Sequence, residues 1–335
     1  MKIWSLQALR FWAALAVVAY HAYGRVYQTD GQLGLLGRDA ALFGRGGVDV
    51  FFVLSGVIIA LTSKGLTAGE FVAKRARRIL PLYLMFTALY LAAGLTAGGT
   101  GWRETVTSLT LWPALDRIVI PVVPVAWTLC FEALFYASAA VVIWRPRLIW
   151  AVLGAYAAAL AVRSGPVLQF VGNPLGLEFL MGVGLSRLPR WRGAVWLIPV
   201  GLVAAWFLAP SGAPPETDVA DLLNGANAWP RVLFLGVPAA AVVWGAMQIE
   251  TRKGLLTELG DASYALYLAH LPLVALIGLG LARYTALPPD PIVVAAAAAS
   301  VLLSWRIHLL FEKPVLAWLA RPAARSLMPA SDTAA

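Results

Sequence analysis

The stretch LQALRFWAALAVVAYHAYG, residues 6–24, is an apolar helix of membrane-spanning length that carries Arg10 near one end and His21 near the other. Burying a charge in hydrocarbon costs about 3 kcal/mol or more on insertion scales. At 100° per residue the two side chains lie about 20° apart on one helical face and about 16 Å apart along the axis. Two polar residues on one face of a span usually line a cavity. The pattern therefore favours a functional role over the alternative, in which Arg10 snorkels and His21 lies at the interface.

Composition indicates that this helix belongs to a polytopic membrane protein. Hydrophobic residues make up 60% of the 335 positions and charged residues 13%, whereas a soluble domain has about 25% charged residues. The first apolar stretch lacks a small-residue cleavage site, so we expect a true first helix rather than a signal peptide. The sequence predicts an all-α fold with about ten transmembrane helices. They lie near residues 4–23, 47–63, 79–97, 125–143, 148–163, 173–188, 194–210, 231–249, 262–281 and 291–311.

Basic residues predict the orientation of these helices. If the N-terminus is cytoplasmic, the inner segments hold about twice as many Lys and Arg residues as the outer segments, which favours both termini in the cytoplasm. The net charge of +9 is then mainly a topology signal, and no nucleic-acid binding is expected. Residues 1–316 are predicted to form the transmembrane domain, residues 102–124 an irregular outer loop, and residues 317–335 a short disordered cytoplasmic tail.

Four acidic residues lie in or beside predicted spans. Asp49 begins the second span, where it can orient the His21 imidazole, cap the helix N-terminus, where the dipole favours an anion, or do both. Glu132 lies deep in the fourth span, and a buried carboxylate must pair or stay protonated. It either shares a site with His21 or makes a structural bond to another helix. Glu178 has no partner evident from the sequence, and Glu312, next to a lysine, favours a salt bridge.

Arg75 and Arg78 lie three residues apart on one helical face at the inner end of the third span. They obey the positive-inside rule and anchor the helix. The planar guanidinium is also well suited to phosphate, because it donates two parallel hydrogen bonds. Together with Arg10, the pair predicts a binding site for a polyanion on the cytoplasmic side.

A polar stripe is predicted in the ninth span, where Ser263, Tyr267 and His270 fall within about 60° on one face. Tyr136 lies one turn further in than Glu132. Buried histidines often only pack in a core, so His270 is either functional or structural. No metal site is predicted.

Six motifs, in order from about residue 6 to residue 316, resemble those of the bacterial membrane-bound acyltransferase family 3. In one of them Thr128 stands where a serine is common. The motifs are LRFWAALAVVAYHA, GVDVFFVLSG, RARRILPLY, WTLCFEALFY, LGDASYALYLAHLPL and FEKP.

The resemblance implies an acyl-CoA-dependent O-acyltransferase of the bacterial inner membrane. Such proteins move an acyl group, usually acetyl, from cytoplasmic acyl-CoA to a hydroxyl of an extracytoplasmic glycan or lipid-linked saccharide. The resemblance also implies that His21 acts as a general base or acyl carrier, with Glu132 and Asp49 nearby. No metal and no fused soluble esterase-like domain are expected. The donor's phosphates are assigned to three cations, Arg10, Arg75 and Arg78.

The competing interpretation is a transporter or flippase for a glycan or lipid-linked precursor, in which the same charges line a pathway and no bond is broken. The sequence leaves open the acceptor, the acyl chain length, the oligomeric state and whether a separate protein completes the transfer.

Overall fold

The computed structural model describes residues 3–31, 34, 37–95, 101–212, 218–284 and 287–320, and these residues are predominantly helical. Two π-helical turns, Val232–Gly236 and His308–Glu312, interrupt longer helical runs. The α-helices are α1 (Trp4–Asp30), α2 (Gly37–Gly44), α3 (Gly46–Thr62), α4 (Ala68–Ala92), α5 (Trp102–Thr110), α6 (Trp127–Trp144), α7 (Ile149–Val162), α8 (Gly165–Val171), α9 (Gly176–Leu185), α10 (Leu197–Gly212), α11 (Val219–Asn224), α12 (Ala228–Arg231), α13 (Val237–Met247), α14 (Leu255–Asp261), α15 (Ser263–Tyr284), α16 (Pro289–Ile307) and α17 (Lys313–Leu319).

The all-α membrane fold agrees with the expectation from hydropathy, and each of the ten predicted segments contains a helix. Helices α14 and α15 together form a further candidate span with a bend of 70°. Helices α1 and α4 are 27 and 25 residues long but carry charged side chains. The count of ten and the orientation of the termini stay predictions. Six runs among the described residues are long and apolar enough to cross a membrane: Ala41–Thr62, Pro124–Trp144, Gly165–Leu185, Arg192–Ser211, Ala228–Met247 and Pro289–Leu319.

The predicted orientation can be tested with reporter fusions along the chain. Because basic residues concentrate on one side, fusions after outer positions should report the outside of the membrane and fusions after inner positions the inside. A reversed pattern in most fusions would contradict both the topology and the assignment of the donor site to the cytoplasmic side. The outer positions are Arg25, Arg103 and Asp218, and the inner positions are Lys64, Arg147 and Arg192.

Small residues bring α3 close to two neighbours. A Cβ atom at Gly47 would collide with the carbonyl oxygen of Ala13 in α1. Gly56 of α3 and Gly182 of α9 face each other, and a Cβ on either would meet the backbone of the other helix. Close approach through small residues is typical of helix packing in membranes. It holds α3 between α1 and α9.

Helix α15 forms the other boundary of the interior. It packs along α1 and α16 and also contacts α4, which packs against α6. Each of the helices α1, α4, α6 and α15 carries polar residues that the sequence singles out. Their packing brings these residues together on the inside of the helix bundle.

The segment 102–124 is more ordered than predicted. It begins with α5 and continues without regular helix until Pro124. The Tyr83 hydroxyl donates to the Ser108 carbonyl oxygen at 2.9 Å, and the Val122 amide donates to Ser108 Oγ at 2.8 Å. These bonds and the buried side chains of Leu111, Ala114 and Val122 pack part of the segment against α4. The prolines of this segment prevent a membrane-spanning helix, but they do not prevent the segment from packing closely.

An ion pair lies within the segment 102–124. The Arg103 guanidinium donates to both carboxylate oxygens of Asp116 and holds the pKa of that carboxyl below its ordinary value.

The predicted C-terminal tail begins with helix. Helix α17 ends at Leu319, so the first residues of the predicted tail are helical rather than disordered. The rest of the tail, residues 321–335, lies outside the described residues.

Candidate active site

A cavity of about 110 Å³ collects most of the polar residues singled out in the sequence. It lies between α1, α3, α4, α6 and α15. The predicted donor site and most of the predicted polar stripe therefore belong to one site, which we call the cation cavity. Its polar lining consists of Arg10, Ser55, Arg75, Arg78, Thr128, Glu132, Tyr136, Ser263, Tyr264 and Tyr267.

Glu132 is held by two hydroxyl groups. Ser55 Oγ donates to Oε1 at 2.9 Å, and the Tyr136 hydroxyl donates to Oε2 at 3.1 Å. Arg10 lies within electrostatic range of this carboxylate. His21 is not among the described residues that line the cation cavity. Glu132 therefore belongs to the cation cavity, whereas His21 does not line it, because depth along a helix does not reveal which neighbour a side chain faces. That the two residues share one site stays a prediction.

Arg10 and Arg75 both direct cationic side chains to the cation cavity. Arg75 Nη2 donates to Thr62 Oγ1 at 2.7 Å, and its guanidinium carbon lies 5.8 Å from the centre of the Tyr136 ring. The Nε atoms of Arg10 and Arg75 are buried and have no hydrogen-bond partner among the described residues. Unsatisfied buried donors are costly, so these two atoms favour an anionic or polar ligand in the cavity.

Arg78 differs from the other two cations because an acid already pairs with it. Its Nη1 atom lies 2.9 Å from Glu312 Oε1, and its side chain is 32% exposed. The other carboxylate oxygen of Glu312 lies 2.7 Å from His308 Nδ1 within the π-helical turn. The salt bridge favoured for Glu312 is thus present, but its partner is Arg78 rather than the adjacent lysine. The sequence analysis missed His308, which one helical turn places next to Glu312.

His21 faces a second histidine. The ring centres of His21 and His270 are 5.0 Å apart. His270 Nδ1 lies 2.7 Å from the Tyr267 carbonyl oxygen, and a carbonyl oxygen only accepts, so this nitrogen carries the hydrogen. The Nε2 atom then bears the lone pair, and it is buried without a hydrogen-bond partner among the described residues. The structure therefore offers a pair of imidazoles, one with a fixed tautomer and a free basic nitrogen.

Tyr267 connects the histidine pair to the cation cavity. Its ring lines the cavity, and its centre lies 5.8 Å from the centre of the His270 ring. Its hydroxyl donates to the Val125 carbonyl oxygen and accepts from Thr128, both at 3.0 Å. Ser263, Tyr267 and His270 thus follow one another along α15 as predicted, from the cavity to His21. The sequence did not reveal that His270, at the end of the stripe, packs against His21 of α1.

Asp49 has a different role from the one predicted. Its two carboxylate oxygens accept from Arg231 Nε at 2.9 Å and Nη2 at 2.8 Å. Both side chains are fully buried, and Glu178 lies beside them. The prediction that Asp49 orients His21 is corrected, because a bidentate guanidinium occupies both oxygens. Its position in the first turn of α3 agrees with the alternative, a favourable location at the helix N-terminus.

Metal ligation has no support in the part of the chain that the structure describes. No group of three or more His, Cys, Asp or Glu side chains there is placed to hold a metal ion. The chemical groups of the site are cations, hydroxyls, imidazoles and the Glu132 carboxylate.

Comparison with known proteins covers nearly the whole chain. Residues 3–309 match a family described as an acyltransferase domain. The chain is 28% identical to the acyltransferase MdmB of Streptomyces mycarofaciens, over 100% of this chain and 97% of the relative. It is 31% identical to the exopolysaccharide production protein ExoZ of Rhizobium meliloti (strain 1021), over 82% and 90%. It is 27% identical to nodulation protein 10 of Rhizobium leguminosarum bv. viciae, over 95% of each. No solved structure matches.

Proposed function

The chain belongs to the acyltransferase 3 family, and we propose that it transfers an acyl group from cytoplasmic acyl-CoA to a hydroxyl of an extracytoplasmic saccharide. The family supports acyltransferase activity in a membrane protein. One relative is named for exopolysaccharide production, which supports a glycan or lipid-linked saccharide as acceptor. Acetyl is the acyl group we propose, and the bacterial inner membrane is the location, because acyl-CoA is made in the cytoplasm.

The donor is proposed to bind in the cation cavity. CoA carries several phosphate charges, and three guanidinium groups, Arg10, Arg75 and Arg78, converge there. Two of them have a buried Nε donor without a partner among the described residues. The observation that carries this proposal is the convergence of these cations in one cavity, at the end of α4 predicted to face the cytoplasm.

The acyl group is proposed to react at the histidine pair. Arg10 and His21 lie on the same helix, about 16 Å apart along its axis, and both face α15. We propose that the long pantetheine arm of CoA extends from the cation cavity past Tyr267 to the imidazoles. A donor held by its phosphates would thus present its thioester near His21.

In the direct mechanism His21 acts as a general base. It takes the proton of the acceptor hydroxyl while the oxygen attacks the thioester carbonyl carbon. The new C–O bond forms, the C–S bond breaks, and the CoA thiolate leaves and takes up a proton. His270, with Nδ1 donating to a carbonyl oxygen, can accept or return a proton through Nε2. In the relay variant a His21 nitrogen attacks the thioester carbon, the C–S bond breaks, and the CoA thiolate leaves with the imidazole proton. The acceptor oxygen then attacks the acyl-imidazole, the C–N bond breaks, and the hydroxyl proton passes to the His21 nitrogen.

Labelled acetyl-CoA separates this function from transport. Membranes containing the protein should incorporate the label into a saccharide, and membranes lacking it should not. A transporter would move the saccharide without incorporating label. Comparing surface glycans of the host with and without the gene would identify the acceptor.

Replacing Arg75 and Arg78 together tests the donor site. The double Ala variant should lower donor use at least about tenfold, because two charge-assisted phosphate contacts are lost. The double Lys variant keeps the charge needed for topology but loses the planar fork, so it should recover only part of the activity. The measurement is the KM for acetyl-CoA at equal membrane insertion.

Arg252 and Lys253 provide the matched control, since they are exposed cations outside the cation cavity. Their replacement by Ala should leave the KM unchanged. Full activity of both the Ala and the Lys variants at Arg75 and Arg78 would contradict the proposed donor site.

A further inference from the structure

A second cavity, of about 650 Å³, lies between α3, α6, α7 and α9. Its volume falls within the range of about 300–1,000 Å³ that is typical of ligand sites. The cavity is partly open at the surface of the membrane domain, so a ligand can enter it from outside the protein. We call it the apolar slot.

The apolar slot is built from matching helical faces. In α7 and α9 the lining residues follow the i, i+3, i+4, i+7 spacing of a single face. Both faces are predominantly apolar, so they suit a hydrocarbon chain rather than a polar substrate. The residues are Ile149, Val152, Leu153 and Tyr156 in α7, and Gly176, Phe179, Leu180 and Val183 in α9.

The length of the apolar slot matches one leaflet of a bilayer. Along α6 its lining extends from Phe131 to Ile143, which corresponds to about 18 Å at 1.5 Å per residue. Half of a hydrocarbon core of about 30 Å is about 15 Å. The slot thus has the length of a single lipid acyl chain in its own leaflet.

Two cations lie at one end of the apolar slot. Lys64 follows α3 and Arg187 follows α9, and both line the slot together with the hydroxyl residues Ser63 and Ser186. Neither cation forms an ion pair with another residue in the described ranges, and both are exposed. These groups stand at the end predicted to be cytoplasmic, where anionic lipid headgroups attract basic residues.

We propose that the apolar slot binds one anionic phospholipid of the cytoplasmic leaflet. One acyl chain fills the apolar faces, and the phosphate contacts Lys64 and Arg187. The site is distinct from the cation cavity, although Ile59 lines both. Helix α6 separates them, presenting Glu132 to the cation cavity and Phe135 to the slot. The bound lipid would therefore support the helix that carries Glu132.

Lipid titration of the purified, delipidated full chain tests the proposal by native mass spectrometry. The probes are phosphatidylglycerol and diacylglycerol with the same acyl chains. One phosphatidylglycerol should bind per chain, at least about tenfold tighter than diacylglycerol. Replacing both Lys64 and Arg187 by Gln should remove most of this preference, because the two basic residues contribute comparable shares of the attraction to the lipid phosphate. The matched control replaces Arg252 and Lys253 with Gln and should keep it.

A second variant tests the acyl-chain part of the slot. Val152→Trp should fill the space and reduce binding of both lipids about tenfold or more, whereas Val203→Trp, on an exposed position of α10, should not. Unchanged phosphatidylglycerol binding in the Lys64/Arg187 variant would overturn the proposal, even if Val152→Trp fails to fold. Displacement of the lipid by long-chain acyl-CoA, one for one, would also overturn it, because the slot would then belong to the donor.

Discussion

His21→Ala is expected to lower acyl transfer by about 100-fold or more while leaving acyl-CoA binding nearly unchanged. A lost general base costs about 10²–10⁴ in rate, and a lost acyl carrier costs at least as much. Donor binding should survive because the phosphate contacts are assigned to the cation cavity, whose described lining does not include His21. The measurement combines transfer from labelled acetyl-CoA with equilibrium binding of the donor to the same purified variant.

Tyr27→Ala is the matched control for this variant, since Tyr27 is an exposed aromatic residue on the same helix. It should retain transfer near the wild-type rate. If His21→Ala also retains that rate, His21 is not the reacting group, and Glu132 becomes the next candidate base. If both variants lose transfer and donor binding together, the loss reflects a damaged α1.

A rapid denaturing quench near neutral pH, without acceptor, distinguishes the two mechanisms for His21, because an acyl-imidazole is lost in acid. A stable label on the wild-type chain that disappears in His21→Ala would assign the acyl-carrier role. Absence of label in both, with transfer intact in the wild type, would assign the general-base role.

Asp49→Asn is expected to destabilise the fold by up to about 3–5 kcal/mol, because it removes the carboxylate that holds buried Arg231 through two hydrogen bonds and leaves only Glu178 beside the guanidinium. The guanidinium is 2% exposed and both of its bonds to Asp49 are within 2.9 Å. The measurement is the free energy of unfolding in mixed micelles, read by helical circular dichroism.

A double apolar variant, Asp49→Leu with Arg231→Met, provides the control. Replacing a buried ion pair by packed apolar residues is often nearly neutral, so most of the stability should return. Transfer should return with it, because the pair is structural. Wild-type stability of Asp49→Asn would contradict the ion-pair assignment. A stable but inactive double variant would contradict a purely structural role for the pair.

The helices and the face shared by Arg10 and His21 could be predicted because hydropathy and the 3.6-residue period are local properties. The contacts between side chains on different helices could not be predicted. Asp49 and Arg231 are 182 positions apart, and nothing local connects them. Equally, Glu132 and His21 lie at similar predicted depths, yet they face different neighbours.

The chemical type of each group in the candidate site could be predicted from the sequence more reliably than the residues that it contacts. Arg75 and Arg78 were predicted as a phosphate-binding pair, but Glu312 offsets the charge of only one of them. His270 was interpreted as functional or as a core residue, and its ring packs against His21. Such a contact depends on how α1 packs along α15, which hydrophobic periodicity does not determine.

Acyl transfer across a sealed bilayer is the most direct test of the proposed function. The purified chain is reconstituted in liposomes loaded with labelled acetyl-CoA, and surface glycan extracted from the host is added outside. The account predicts that label appears on the external glycan in wild-type liposomes and falls about 100-fold or more with His21→Ala. Movement of unlabelled glycan into the liposomes with no labelled product would contradict it and would assign the protein to transport.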